Sequence, residues 1–273
     1  VTFIGPSAEA MRKLGDKIGS KLIAEEVGVP VAPWSGGGVD TLEEALAAAD
    51  RVGYPLMLKA TAGGGGRGIR RVDSADDLTD AYQRTRDEAE RAFGSGVVFL
   101  EKLVTGARHV EVQLISDGET AWALGVRDCT VQRRNQKIVE RAPALYLDSA
   151  QRDEVCGAAL ALCRKASYVN AGTVEFLQDA DTGKFYFIEV NPRIQVEHTV
   201  TEAITGIDIV KAQSRIAEGH AIGSEESGVP QQADIAMRGH AVQCRVTSED
   251  PENNFIPDYG AITAYRSPAG FGI

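Results

Sequence analysis

GTVEFLQDADTGKFYFIEVNPRIQVEH, residues 172–198, decides how the rest of the chain is read. A β-prone run over 173–177 breaks at Asp179-Ala180-Asp181-Thr182-Gly183 and resumes over 185–190, the pattern of a β-hairpin. Counting back from the turn sets Glu175 roughly opposite Glu189. Opposed side chains of an antiparallel pair share a face about 5 Å apart, so two carboxylates there repel unless a cation compensates them. Hard oxygen donors with Asn191 nearby suit Mg2+ or Mn2+, and Mg2+ typically takes one or two protein carboxylates plus phosphate oxygens. The alternative is a solvated hairpin face with two unrelated glutamates. Directly after the hairpin, Asn191, Arg193, Gln195 and Glu197 bring an amide, a guanidinium, a second amide and a third carboxylate. Arg193 matches a small planar oxyanion such as bicarbonate through paired donors, and Glu197 is placed to take a proton from it.

The 273 residues are 43% hydrophobic and 25% charged, the profile of a globular protein with one large or two moderate domains. A formal net charge of −10 argues against sequence-independent nucleic-acid binding, so local basic clusters read as sites for small anions. Cys129, Cys156, Cys163 and Cys244 form no CxxC pair, which predicts reduced thiols in the core of a cytoplasmic protein. No apolar run reaches the ~20 residues of a membrane span, and no leader pattern is present. Beginning at Val1 and ending at Ile273 in mid-phrase, the sequence is expected to be a fragment of a longer chain.

Upstream, helices are expected over 8–14, capped by Ser7, over 20–26, and over 42–51, ending at Gly53. A strand over 56–60 carries Lys59 to four consecutive glycines, Gly63 to Gly66, and a second strand follows over 69–72. Glycines let the backbone approach a phosphate chain closely, whereas the other reading is a flexible linker. The segment fits neither GxxxxGK[ST] nor a strand-to-helix GxGxxG. A charged helix over 74–92 precedes a buried strand ending at Glu101 and Lys102, where main-chain groups near Glu101 and Val104 are placed to bond a base edge. The strand over 109–115 alternates, with His109, Glu111 and Gln113 on its polar face. After a strand over 120–126, residues 127–137 concentrate cationic and amide side chains, including Gln132, Asn135 and Lys137. Asp148 and Gln151 box a helix reaching about 167. In a strand over 240–247, Gln243 and Arg245 share the face opposite Val242, Cys244 and Val246.

Together FIGPSAEAMRKLGDK, KATAGGGGRG, EKLVTGARHVE, RDCTVQRRNQK, GTVEF, FIEVNPRIQVEHTVTE and QCRVTSEDPENNFIPDYG resemble the biotin carboxylase component of biotin-dependent carboxylases, a branch of the ATP-grasp enzymes. VNPRIQVEHTVTEAITGIDIVKAQ and NNFIPDYGAITAYRSPAGFGI are most like the pyruvate carboxylase members. The resemblance implies an α+β ATP-grasp fold with a glycine-rich lid subdomain and a larger body of mixed or antiparallel sheet. Residues 1–30 would end an amino-terminal subdomain, 31–102 form the lid, and 103–273 form the body with a truncated carboxy-terminal subdomain.

It further implies that Lys17 and Lys59 bind ATP phosphates under Gly64, Gly65 and Gly66. Glu101, Lys102, Val104, His109, Gln132 and Asn135 would surround adenine and ribose. Glu175, Glu189 and Asn191 would hold Mg2+ or Mn2+, while Arg193, Gln195 and Val196 hold bicarbonate. Lys137 would face the transferring phosphoryl group, Glu197 would be the base, and Arg245 would stabilise the enolate-like oxygen of biotin. Asn135 departs from the histidine many members carry, which bears on the ribose contact. No Met-Lys-Met setting for a biotinylated lysine occurs, so biotin would come from a carrier domain, with a carboxyltransferase domain beside it, in cis or in trans. A homo-oligomer is expected for the full protein. Three other readings stay open: the biotin carboxylase of an acyl-CoA carboxylase, an ATP-grasp ligase joining a different carboxylate to an amine, and a nucleotide-binding module without turnover.

Overall fold

The computed structural model describes residues 1–62, 68–133 and 135–273. Gly64, Gly65 and Gly66 therefore lie outside the described residues. Helix α1 (Ala8–Gly15) starts at Ser7, whose Oγ accepts from Ala10 N at 3.1 Å. Helix α2 (Lys17–Glu26) begins a turn earlier than the expected 20–26, because the Asp16 carboxylate accepts from Ile18 N and Gly19 N and caps it there. That correction puts Lys17 in the first turn of a helix. Helix α3 (Leu42–Val52) ends at Gly53, where φ is 80° and the N–H bonds Ala49 O.

Strand β1 (Leu56–Ala60) pairs antiparallel with β2 (Ile69–Val72) on one side and β3 (Val98–Lys102) on the other. Helix α4 (Ala75–Phe93) lies between β2 and β3 in sequence. Alternation sorts this small sheet: Leu56, Leu58, Val72, Val98 and Leu100 pack on α3 and α4, while Lys59 and Glu101 carry the polar residues of the other face.

The larger sheet has six strands, all pairing antiparallel: β4 (Ala107–Ser116), β5 (Ala121–Arg133), β6 (Gln136–Ala142), β7 (Asn170–Asp179), β8 (Phe185–Asn191) and β9 (Ala241–Cys244), in spatial order β8-β7-β4-β5-β6-β9. Among the described residues, its one parallel neighbour is an isolated bridge from Val31 to Phe187. Val110, Val112, Leu114, Val174 and Phe176 point to one face and bury against helix α5 (Ser149–Lys165) through Val155, Ala159 and Leu162. Each fully buried aliphatic side chain of this kind contributes about 1.5–3 kcal/mol. On the opposite face Ile115, Trp122, Leu124 and Ala171 meet helix α7 (Ile209–Ala217), and Ala142 meets Val200 and Ile204 of α6 (His198–Thr205). The rest of that face is polar.

The Asp148–Gln151 capping box forms with both reciprocal bonds, 2.8 and 3.2 Å. The cationic cluster does not follow a strand: β5 runs on through Arg133, with register shifts after Asp128 and Val131 that absorb the irregularity. Cys129 and Cys163 are buried and Cys156 half-buried, but Cys244 is exposed, since β9 is a sheet edge whose outer face has no helix over it among the described residues.

Candidate active site

Two polar clusters face the space between the sheets, one on each. On the small sheet, Glu101 is buried and accepts from both Lys21 Nζ and Lys59 Nζ. Burial alone would raise the Glu101 carboxyl, but the two ammonium groups outweigh it and hold it below the usual carboxylate range. Lys17 Nζ donates to Ala60 O at 3.3 Å, and burial lowers its pKa against the opposing pull of Glu189. Lys102 spends its ammonium on the carbonyls of Gly53 and Tyr54, at 3.1 and 2.7 Å. Val104 is half-buried just beyond β3.

On the large sheet, the hairpin places Glu175 against Glu189, and it does so through a bulge. Phe176 pairs with Phe187 and Glu175 with Glu189, so Ile188 is the extra residue. A regular ladder would have set Glu175 against Ile188 and turned Glu189 to the other side of the sheet. Burial and the neighbouring Glu175 both push the Glu189 carboxyl upward, the response of two acids sharing a site that a cation would relieve. Asn191 Nδ2 and Gln195 Nε2 donate to Glu175 Oε1 at 2.9 and 3.1 Å, and Lys137 Nζ at 2.8 Å. His109 Nε2 lies 3.0 Å from Glu175 Oε2, while its Nδ1 meets Gln132 Nε2 at 3.0 Å. Burial would raise Glu175, yet His109 and Lys137 together hold it low.

Lys137 contacts three carboxylates: Glu111, Glu175 and Glu197, the last at 2.7 Å. Burial opposes its charge, but Glu111 and Glu175 raise its pKa and keep it an ammonium. Glu197, 2% exposed, receives Lys137 on Oε1 and Arg245 Nη2 on Oε2 at 2.8 Å. Arg193 is exposed, with its guanidinium against Ile194 O and Asn191 Oδ1, and Val196 is exposed beside it. Asn135 occupies the turn between β5 and β6 with φ 61°, a left-handed position that asparagine tolerates.

Three members of the site were not singled out by the sequence. Arg127 is 0% exposed and donates to Glu111, Gln113, Thr201, Thr173 and Gln195 at 2.6 to 3.4 Å. Lys21 is buried beside Glu101, and Glu140 lies under Arg245. For Lys21 a signal existed: it falls with Ser20 and Ala24 on the buried stripe of α2, where an unpaired lysine has no place.

Among the described residues, His109–Glu111–Glu175 and Glu111–Cys129–Glu197 each bring three ligand atoms within 4.8 Å. Lys137 already supplies a cation to Glu111, Glu175 and Glu197, so neither trio is short of positive charge. The Glu189 carboxyl is pushed up by burial and by Glu175, and the Glu175–Glu189 pair with Asn191 fits a hard divalent ion better.

A family model described as carbamoyl-phosphate synthase L chain, ATP binding domain, matches residues 16–225, and the chain belongs to that family. Its α+β architecture is the ATP-grasp fold of biotin carboxylase domains. The biotin carboxylase domain of Hydrogenobacter thermophilus 2-oxoglutarate carboxylase, solved with MgADP, ADP and bicarbonate, superposes with a TM-score of 0.94 at 44% identity, covering 100% of this chain and 59% of that one. Rhizobium etli pyruvate carboxylase, solved with the allosteric activator acetyl coenzyme A, gives 0.92 at 59% identity over 99% of this chain and 24% of that one. Pyruvate carboxylase of Bacillus subtilis (strain 168) is 49% identical across 100% of this chain and 24% of its own length. Pyruvate carboxylase 1 of Caenorhabditis elegans is 50% identical across 100% of this chain and 23% of its own length. The chain thus spans about a quarter of the curated relatives it matches.

Proposed function

We propose that the chain catalyses ATP- and bicarbonate-dependent carboxylation of biotin through carboxyphosphate, as the biotin carboxylase part of a pyruvate carboxylase-like ligase. The observation that carries this reading is Glu197, buried between Lys137 and Arg245 and beside the Glu175–Glu189 pair. The ligands in the similar Hydrogenobacter thermophilus domain, MgADP and bicarbonate, support it.

In this reading Lys17 and Lys59 hold ATP phosphates beneath Gly64, Gly65 and Gly66, and Glu101, Lys102, Val104, His109, Gln132 and Asn135 surround the nucleoside. Arg193, Gln195 and Val196 hold bicarbonate against Glu197. Glu197 takes the bicarbonate proton, and the bicarbonate oxygen attacks the γ-phosphoryl group in line, breaking its bond to the β,γ-bridging oxygen so that ADP leaves as carboxyphosphate forms. When Lys137 turns its ammonium to the transferring phosphoryl oxygens, Glu197 keeps its bond to Arg245 Nη2 and its Oε1 is freed for the bicarbonate proton. Mg2+ or Mn2+, when bound by Glu175, Glu189 and Asn191, offsets negative charge on the phosphate oxygens. Arg245 then faces the ureido oxygen of biotin and stabilises its enolate-like form.

Residues 1–30, 31–102 and 103–273 are assigned to the end of an amino-terminal subdomain, the lid, and the body with part of a carboxy-terminal subdomain. Biotin arrives on a carrier domain and leaves for a carboxyltransferase domain of the same assembly, a homo-oligomer in a cytoplasmic, reducing compartment suited to the free thiols. No helix of the described residues is long and apolar enough to cross a membrane. Phosphate release from MgATP, measured with and without bicarbonate and free biotin, tests the reading: stimulation needing both supports it, and a folded, ATP-binding protein indifferent to both refutes it.

A further inference from the structure

Beneath Arg245 lies a carboxylate that none of these roles uses. Glu140 on β6 is 0% exposed; its Oε1 accepts from Arg245 Nε at 2.6 Å, and its Oε2 is buried without a hydrogen-bond partner among the described residues. Strand pairing puts it there. β6 and β9 are antiparallel with Glu140 opposite Gln243, and Arg245 N donates to Ile138 O, so Arg245 shares a sheet face with positions 138 and 140. A half-satisfied buried carboxylate is a cost to the fold. Replacing it with an apolar residue would remove that cost but also release Arg245.

The guanidinium is held at two points. Nε goes to Glu140 and Nη2 to Glu197, while Nη1 has no partner among the described residues and the side chain is 31% exposed. Nε and Nη2 form the side-on fork that grips a carboxylate with two parallel bonds. Here that fork is split between two acids. We infer that Glu140 is a positioning residue for Arg245: by occupying Nε it prevents the fork from closing on Glu197, keeps one bond to the base, and leaves Nη1 for the ureido oxygen of biotin. The inference rests on the proposed role of Arg245.

The test is a double-mutant cycle in the full natural chain, with wild type, Glu140→Ala, Arg245→Ala and the double variant. Bicarbonate-dependent phosphate release is followed against free biotin and against MgATP, with thermal midpoints for every form. Misplacing a substrate-facing group costs up to about 10²-fold in rate, the loss in biotin-dependent kcat expected for Glu140→Ala, with the KM for MgATP unchanged. Glu140→Gln, which keeps an acceptor for Nε, recovers part of the activity, and Glu140→Ala added to Arg245→Ala causes no further loss. An equal loss in both backgrounds, or a matching rise in the KM for MgATP, overturns the inference. An Arg245→Ala effect on biotin kinetics with Glu140→Ala silent overturns it alone; silence of Arg245→Ala removes the reading of Arg245 and the inference with it. Should Glu140→Ala lower the thermal midpoint, Glu140→Gln in both backgrounds supplies the same cycle with the same deciding outcomes.

Discussion

The two polar clusters are built on opposite charge balances. Around the small sheet, Lys21 and Lys59 both donate to the carboxylate of Glu101, and Lys17 lies close enough to feel its charge. On the large sheet, Glu111, Glu140, Glu175, Glu189 and Glu197 outnumber Arg127, Lys137 and Arg245. The first carries more positive than negative charge and the second more negative than positive, which is the balance that the proposed binding of a polyphosphate with its own cation would complete.

The largest expected break in this comparison is Glu197→Gln. Removing a general base typically costs about 10²–10⁴-fold, so biotin-dependent phosphate release should fall by that much while ATP affinity is retained. Retained turnover rejects Glu197 as the base. Next is Glu101→Gln, which strands buried Lys21 without its counter-charge; losing one partner of a buried pair costs about 3–5 kcal/mol, read as a lowered denaturation midpoint. Because the folded-state pKa of Glu101 is depressed, its contribution is present above the ordinary carboxylate range and is lost as pH falls through the folded value. Acid titration of stability should therefore be shallower in Glu101→Gln than in wild type, and parallel curves would contradict the depressed pKa.

Replacing the pair by Glu175→Gln with Glu189→Gln should weaken Mg2+-dependent nucleotide affinity by about 10–100-fold, the scale at which perturbing a metal site is felt. Equal affinity with and without Mg2+ in the variant is the expected titration result; an unchanged Mg2+ dependence removes the metal site. Smallest is Cys244→Ser on the exposed edge strand, where a surface substitution should shift stability by no more than about 0.5 kcal/mol in a denaturant melt.

What the sequence made legible was local. The hairpin, the glycine-flanked strand over 56–60 and the Asp148 capping box each rest on residues within a few positions of one another, where turn chemistry and side-chain period decide the outcome. The opposition of Glu175 and Glu189 was legible only roughly, because the register depends on a bulge at Ile188 that no turn residue announces. Lys21 with Glu101 and Glu140 with Arg245 are separated by 80 and 105 residues, and nothing in a helical or alternating pattern specifies such a partner. Lys17, Lys59, Lys137, Glu175, Glu189, Glu197 and Arg245 were picked out through motifs, and the structure brings them to the two facing clusters. Their counter-ions came only with the fold.

Arg127 has a consequence for how the site comes into being. Its five acceptors sit on β4, on β7, in the segment after the hairpin and on α6, so no one supersecondary unit satisfies it. A guanidinium buried before all of these have docked would lack partners, which ties their assembly into a single cooperative step. In native-state hydrogen exchange the amides of β4, β7 and α6 should accordingly open together, near the free energy of global unfolding, leaving no partly unfolded form that still holds Glu197 beside Lys137 and Arg245.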